Sequence, residues 1–200
     1  TANENMTVRR HHYGTFSASN NSEYVRLHFG LKGDYRFTYQ QLGQSFELAG
    51  GHHNIMYSKG IDLEVSNKTL EIETFGGNFP PALFVQLTQE ADELLQKFGE
   101  AVLSGKSQLL SPRWGTVDSK IQRVIDEITT APYQGAMMEV FLYAKCLELL
   151  VLCIENYKTM LGQELRYLKT TADQEKIIAA RDYINERLSD PPGLAEVAQA

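Results

Sequence analysis

The sequence predicts an α+β fold, an antiparallel β-sandwich or small barrel followed by a helical part. Three observations carry this. Residues 1–80 hold nine of the 15 glycines and all five histidines, in short segments where apolar side chains alternate. From residue 81 the apolar spacing lengthens to three and four residues, the period of a helix. A chain of 200 residues is long enough for one or two domains, each with a sizeable core.

The elements follow in order. In EYVRLHFGL, Val25, Leu27, Phe29 and Leu31 share one parity and Tyr24, Arg26 and His28 the other. In DYRFTYQ, Tyr35, Phe37 and Tyr39 share one face. Alternate strand residues point to opposite sides, so both segments read as half-buried strands. MTVRRHH, HNIMYS, IDLEVS and TLEIETF are further strands. Turns are expected at Lys32-Gly33-Asp34, Ala49-Gly50-Gly51, Lys59-Gly60 and Ser66-Asn67-Lys68. Gly76-Gly77 reads as a bulge or turn. Some seven short strands at this spacing give a sandwich or barrel.

Ala91, Leu94, Leu95, Phe98 and Val102 then mark one amphipathic helix, and Ile121, Val124, Ile125 and Ile128 another. The loop between them carries Pro112 and the only tryptophan, Trp114. After a break at Ala131-Pro132-Tyr133-Gln134-Gly135 comes GAMMEVFLYAKCLELLVLCIENYKTM, apolar on nearly every face. Such a helix must be covered all round, by its own domain and by a partner subunit. Met138, Leu142, Leu149 and Leu152 are its expected dimer contacts. Lys145 and Glu148 pair locally, either within a solvent stripe shared with Glu155 or at a helix–helix seam. Ile177, Ile178, Ile184 and Leu188 give a further helix, stopped by Ser189-Asp190-Pro191-Pro192-Gly193. Leu194, Val197 and Ala198 begin another as the chain ends. A domain that ends while starting a helix points to a boundary within a longer protein, and Thr1 without an initiating Met points to a second.

Charge and composition exclude several classes. Residues 1–80 carry 7 basic and 8 acidic side chains and residues 81–200 carry 12 and 17, for a net charge of −6. No region has the basic excess that drives counterion-releasing contact with phosphates. The longest apolar run, Leu149 to Ile154, is far short of the roughly 20 residues that cross a bilayer. There is no apolar export signal, and two cysteines make no disulfide framework, which places the chain in the reducing cytoplasm.

No motif predicts catalysis. Nucleophile elbows, phosphate loops and HExxH are absent. His11-His12 and His52-His53 are neighbours that face opposite sides of a strand, so neither pair closes a metal site from one strand. With His28 they read as polar strand-face or rim histidines, and no metal ligand or cofactor is expected. Cys146 and Cys153, seven apart, read as buried small apolar residues. The aromatics of the β half either fill a core or line a pocket. In the pocket reading the candidate ligand contacts are Arg10, Tyr35, Phe37, His53, Tyr57 and Trp114. The rings would supply stacking area, while Arg10 and His53 would orient polar or anionic groups.

The end of the chain, KIIAARDYINERLSDPPGLAEVAQA, resembles the entry to the DNA-binding domain of AraC/XylS-family transcription regulators. The resembling elements are the helix with Ile178, Tyr183 and Ile184, a short break, and Leu194-Ala195-x-Val197-Ala198. In that family a turn and a recognition helix follow; this chain stops before them. PYQGAMMEVFLYAKCLELLVL resembles the equivalent helix of the siderophore-sensing, PchR-like branch at Pro132-Tyr133, Gly135, Leu142, Tyr143, Lys145, Leu147, Glu148, Leu149 and Leu150. The β half resembles a cupin-like sensory domain in architecture.

The resemblance implies a bacterial regulator rather than an enzyme. Its domains would be a cupin-like sensory domain (1–80), a helical dimerisation subdomain (81–170) and the start of a helix-turn-helix domain (171–200). It would bind a small-molecule effector, in this branch a ferric siderophore whose metal arrives already chelated. It would form a homodimer and touch DNA only through the domain that follows. The rival readings are a cupin-type metal-dependent isomerase or oxygenase, although the two histidines one residue apart that such a centre needs are absent, and a ligand-free dimerisation module with a filled barrel.

Overall fold

A computed structural model describes residues 6–12, 14–167 and 192–197, together with 176, 180, 183 and 184; at 6–12, 16, 20, 61 and 162–167 it describes the backbone alone. The chain divides into two compact units, Thr1–Tyr157 and Lys158–Ala200.

The first unit is α+β. Its strands are β1 (Met6–His12), β2 (Thr15–Lys32), β3 (Tyr35–Tyr39), β4 (Gln44–Leu48), β5 (His52–Asn67) and β6 (Glu71–Phe79). The two-residue strands β7 (Gln108–Leu109) and β8 (Gly115–Thr116) follow later in the chain. The pairings are antiparallel, in the order β1-β6-β2-β5-β3-β4, with β7 and β8 on β5. One edge of β5 pairs with β2 along most of its length; the other meets β8, β7 and β3 in turn.

The sheet curls over on itself as the expected cupin-like sandwich. Tyr35 of β3 is the backbone partner of Asn67, yet its hydroxyl touches His52 at the other end of the same strand. A straight strand of that length would separate these ends by about 50 Å. β5 must therefore curl, and the curl has a visible cause. The β2–β5 register runs Asn20↔Ile61 and then Glu23↔Lys59, so Asn21 and Ser22 together oppose Gly60, whose φ is 82°. This is a β-bulge, which bends and twists a strand. The expected strands HNIMYS and IDLEVS are thus one strand, and the expected turn at Lys59-Gly60 is that bulge.

The facing of β5 also reverses here, at the left-handed Gly60 opposite the extra residue of β2. Before it, His53, Ile55 and Tyr57 face the helices and Met56 faces the interior; after it, Val65 faces the interior. Gly76-Gly77 is neither bulge nor turn. Both glycines keep regular register inside β6, and a Cβ on Gly76 would stand 3.3 Å from the Arg26 guanidinium, which occupies that space.

Helices α1 (Pro81–Thr88), α2 (Glu93–Leu103), α3 (Ser119–Thr129) and, as far as Tyr157, α4 (Gly135–Tyr167) cover the outer face. Pro81 starts α1, where a missing N–H costs nothing. The Asp92 carboxylate caps α2 by accepting from Leu95 N–H, and Asp118 caps α3 by accepting from Lys120 and Ile121 N–H. Val25, Leu27 and Phe29 of β2 share one core with Phe84, Phe98, Ile121, Val124, Leu149 and Cys153 of the helices. Residues on both sides of residue 80 contribute to this core. A second core, with Tyr35, Phe37, Tyr39, Met56, Val65, Ile72 and Leu109, fills the inside of the curled sheet. Cys146 and Cys153 are free and buried, and burial pushes the Cys146 thiol up to about 12.

In the second unit α4 runs on to Tyr167, and Leu194–Val197 form a short helix whose Glu196 carboxylate accepts from Gly193 N–H. Ile184 is helical and exposed; Ile177, Ile178, Leu188 and Ala198 lie outside the described residues. Among the described residues no helix is long and apolar enough to cross a membrane.

Candidate functional site

The inward face of β2, β3 and β5 brings together polar and aromatic groups that hydrophobic packing alone does not require. His28 Nε2 lies 2.9 Å from the Tyr35 hydroxyl, and that hydroxyl lies 2.8 Å from His52 Nε2. His52 Nδ1 meets the Ala49 carbonyl. A carbonyl only accepts, so Nδ1 carries the proton of a neutral His52 and Nε2 is left to accept. Tyr35 therefore donates to His52, and His28 Nε2–H donates to Tyr35. The three side chains form one directed chain ending at the turn before β5.

Burial keeps this chain neutral. It holds His28 well below its usual 6.5, with the nearby His52 and Arg26 adding to the effect, and it pushes His52 down to about 4. Burial also raises the Tyr35 phenol, which stays protonated. Gly30 makes the room. A Cβ there would collide with the His52 ring and stand 2.6 Å from the Tyr35 hydroxyl.

Trp114, from the loop before β8, closes over these groups. Its ring meets His52 at 5.1 Å, Phe46 at 5.4 Å, His28 at 5.7 Å and Phe37 at 6.1 Å, edge to face in each case. Phe37 stacks on His28 at 5.4 Å. The indole N–H is buried without a hydrogen-bond partner, an arrangement that costs on the order of 1–3 kcal/mol. Such a donor suits an acceptor carried in from outside. Burial raises the Tyr39 phenol above its usual value, and Arg26, on the same face, is close enough to oppose that rise and to disfavour the His28 imidazolium.

The structure brings Tyr35, Phe37 and Trp114 of the expected ligand contacts together. It places His53 and Tyr57 on the other face of β5, against the helices. Arg10 pairs through its backbone with Glu73, and its side chain lies outside the described residues. His28, His52 and Arg26 take the polar positions inside. The clue to them lay in β2: opposite the apolar parity of Val25, Leu27 and Phe29 stands a polar parity that faces the interior of a closed sheet rather than solvent. Among the described residues no group of three or more His, Cys, Asp or Glu is arranged to hold a metal ion.

On the helix face, His53 Nε2 lies 3.1 Å from Asn156 Oδ1 of α4, which also accepts from Thr116 N–H at 3.2 Å. Tyr157 donates its hydroxyl to the His53 carbonyl at 3.0 Å. The expected dimer contacts separate. Leu142 and Leu149 are buried in the unit's own core, while Met138 and Leu152 flank it half-buried. The outward stripe of α4 is Met137, Val140, Ala144 and Val151 instead. Lys145 sits at a seam between helices, bonded to Glu127 of α3 as well as to Glu148 at 2.8 Å, and both partners raise its ammonium pKa.

Three solved structures show a partial likeness to the chain. The chain is 7% identical to the AraC-like transcriptional activator CuxR, with 76% of this chain matched to 52% of that one at a TM-score of 0.43. It is 10% identical to ToxT from Vibrio cholerae (70% and 54%, TM-score 0.35). It is 16% identical to an ethanolamine utilization protein Q from Salmonella typhimurium (38% and 56%, TM-score 0.29). The matches span about half the length of each of these chains. No curated protein matches. Residues 6–165 match the family model of the regulatory protein PchR N-terminal domain. The chain belongs to that family.

Proposed function

We propose that this chain is the effector-sensing region of an AraC-type transcription regulator, a sensor rather than a catalyst, working in the cytoplasm. The observation that carries the reading is the inward face of the sheet, where His28, Tyr35, His52 and Arg26 meet Phe37, Phe46 and the unpartnered Trp114 N–H. A core built for stability alone has little use for buried imidazoles, a guanidinium and an unpartnered indole N–H, since each buried polar group costs free energy unless it is paired. Aromatic walls with a few placed polar groups suit a small molecule that carries aromatic groups and acceptors. A ferric siderophore fits this chemistry, since it brings its own metal ligands and asks the protein only for stacking and hydrogen bonds. The effector would favour one arrangement of the sheet and helices, and DNA would be read by the module whose first helix Leu194–Val197 resembles.

A thermal-shift screen of ferric siderophores, free siderophores and sugars tests this. A ligand at 100 times its dissociation constant adds roughly 2.7 kcal/mol, a rise of several degrees for a chain of this size. The expected result is a rise with one ligand class that Phe37→Ala abolishes in a protein that still folds. No shift with any of them contradicts the reading.

Homodimerisation is proposed through the outward stripe of α4. Met137, Val140 and Val151 are each more than half exposed and lie on one side of the helix. Sedimentation at tens of micromolar should show a dimer that Val140→Glu dissociates without loss of helix. A clean monomer of the unaltered chain contradicts it.

A further inference from the structure

Trp114 faces the interior, but the residues after it are held from the other side. Gly115 pairs with His53 and Thr116 with His52, so this short strip is an edge of the sheet. Gly115 lies under the His53 ring, where a Cβ would collide with the imidazole and stand 2.9 Å from Asn156 Oδ1. Thr116 N–H is an obligate donor, so the Asn156 amide turns its oxygen to the strip. The His53 nitrogen facing that same oxygen must then be the protonated one. Tyr157, the next residue of α4, locks onto the backbone of His53 itself. One turn of α4 thus grips the strip two residues from Trp114, through an acceptor shared by β5 and β8.

We propose that Asn156 is a positioning residue that ties the state of the Trp114 strip to α4. A molecule entering the interior must turn the Trp114 ring aside, because that ring is packed against His28, Phe37, Phe46 and His52. Moving Trp114 shifts Gly115 and Thr116, and the shared Asn156 acceptor passes the shift to α4. The path is contiguous and consists of hydrogen bonds that are either made or broken, the kind of element two sites can bias together. This rests on the interior being the effector site. Its test uses no effector, so the two can fail separately.

Trp114 is the only tryptophan, so its fluorescence reports the strip directly. In the full chain, Asn156→Ala should raise the acrylamide quenching constant about twofold or more by freeing the strip to open. Asn156→Asp keeps the acceptor and should restore the low value. Leu152→Ala, a loss of packing on the same helix, should leave quenching unchanged. In the reverse direction, Trp114→Ala should speed amide exchange over residues 153–157 by about tenfold while Leu63→Ala, in the same inner core, does not. This second arm stands even if Asn156→Ala fails to fold. Unchanged quenching in a folded Asn156→Ala, an equal rise in Leu152→Ala, or unchanged exchange in Trp114→Ala overturns the proposal.

Discussion

Gly30→Ala is expected to be among the most damaging single-methyl additions to this protein. The new Cβ would fall on the His52 imidazole and within 2.6 Å of the Tyr35 hydroxyl. The backbone cannot yield, because Gly30 pairs with His52 on one side and Thr74 on the other, and its carbonyl accepts from Gly51 N–H at 2.8 Å. Overpacking of this kind costs roughly 1–3 kcal/mol. Displacing His52 also breaks its bonds to Tyr35 and Ala49, each worth on the order of 1 kcal/mol. The loss of chain entropy in the unfolded state returns only about 0.4–1 kcal/mol. Urea unfolding should show the loss, and Trp114 emission should shift because its ring packs on His52 at 5.1 Å. Adding His52→Ala should recover part of the stability, as two substitutions that share one clash are not additive. A Gly30→Ala protein within about 0.5 kcal/mol of the parent would mean that His52 is free to move.

Acid should destabilise the fold well before its carboxylates titrate. Burial holds His52 and His53 near 4, and His28 well below 6.5, whereas in the unfolded chain all three take up protons near 6.5. A depressed folded-state value means that protons bind the unfolded chain first, so stability is present above 6.5 and is lost as pH falls toward 4. Each histidine contributes a slope of up to about 1.4 kcal/mol per pH unit across that window. Carboxylates held low by lysine or arginine, such as the exposed Glu47 and the half-buried Glu127, act only below their usual 4.5. Urea midpoints measured from pH 7 to pH 5 should therefore fall steadily, and His53→Gln should flatten the slope by about a third. A midpoint constant over that range would mean that these imidazoles are not buried as neutral groups.

Much of the fold was legible from residue order. The alternation in EYVRLHFGL and DYRFTYQ marks β2 and β3 because each has one face against a core, and the three-to-four spacing marks α2 and α3 for the same reason. β4, β7 and β8 gave no such signal, being short and settled by their partners on β3 and β5. The site was half legible. Tyr35, Phe37 and Trp114 announce themselves as aromatics, but the choice of His53 over His52 depends on which way β5 faces. β5 reverses its facing at the left-handed Gly60 opposite the bulge of β2, and parity arguments cannot cross such a point. Three of the strand glycines were equally opaque. Gly30, Gly115 and Gly76 are bare because His52, His53 and Arg26 fill their places, which only the packed structure reveals.

The central claim is that the effector is received by the inward face under Trp114, and the emission of that residue tests it most directly. The ferric siderophore that raises the melting temperature most should change Trp114 emission saturably, with the same midpoint as the stabilisation. A ligand that stabilises the protein while the emission stays flat binds elsewhere, and the interior would then be only a core.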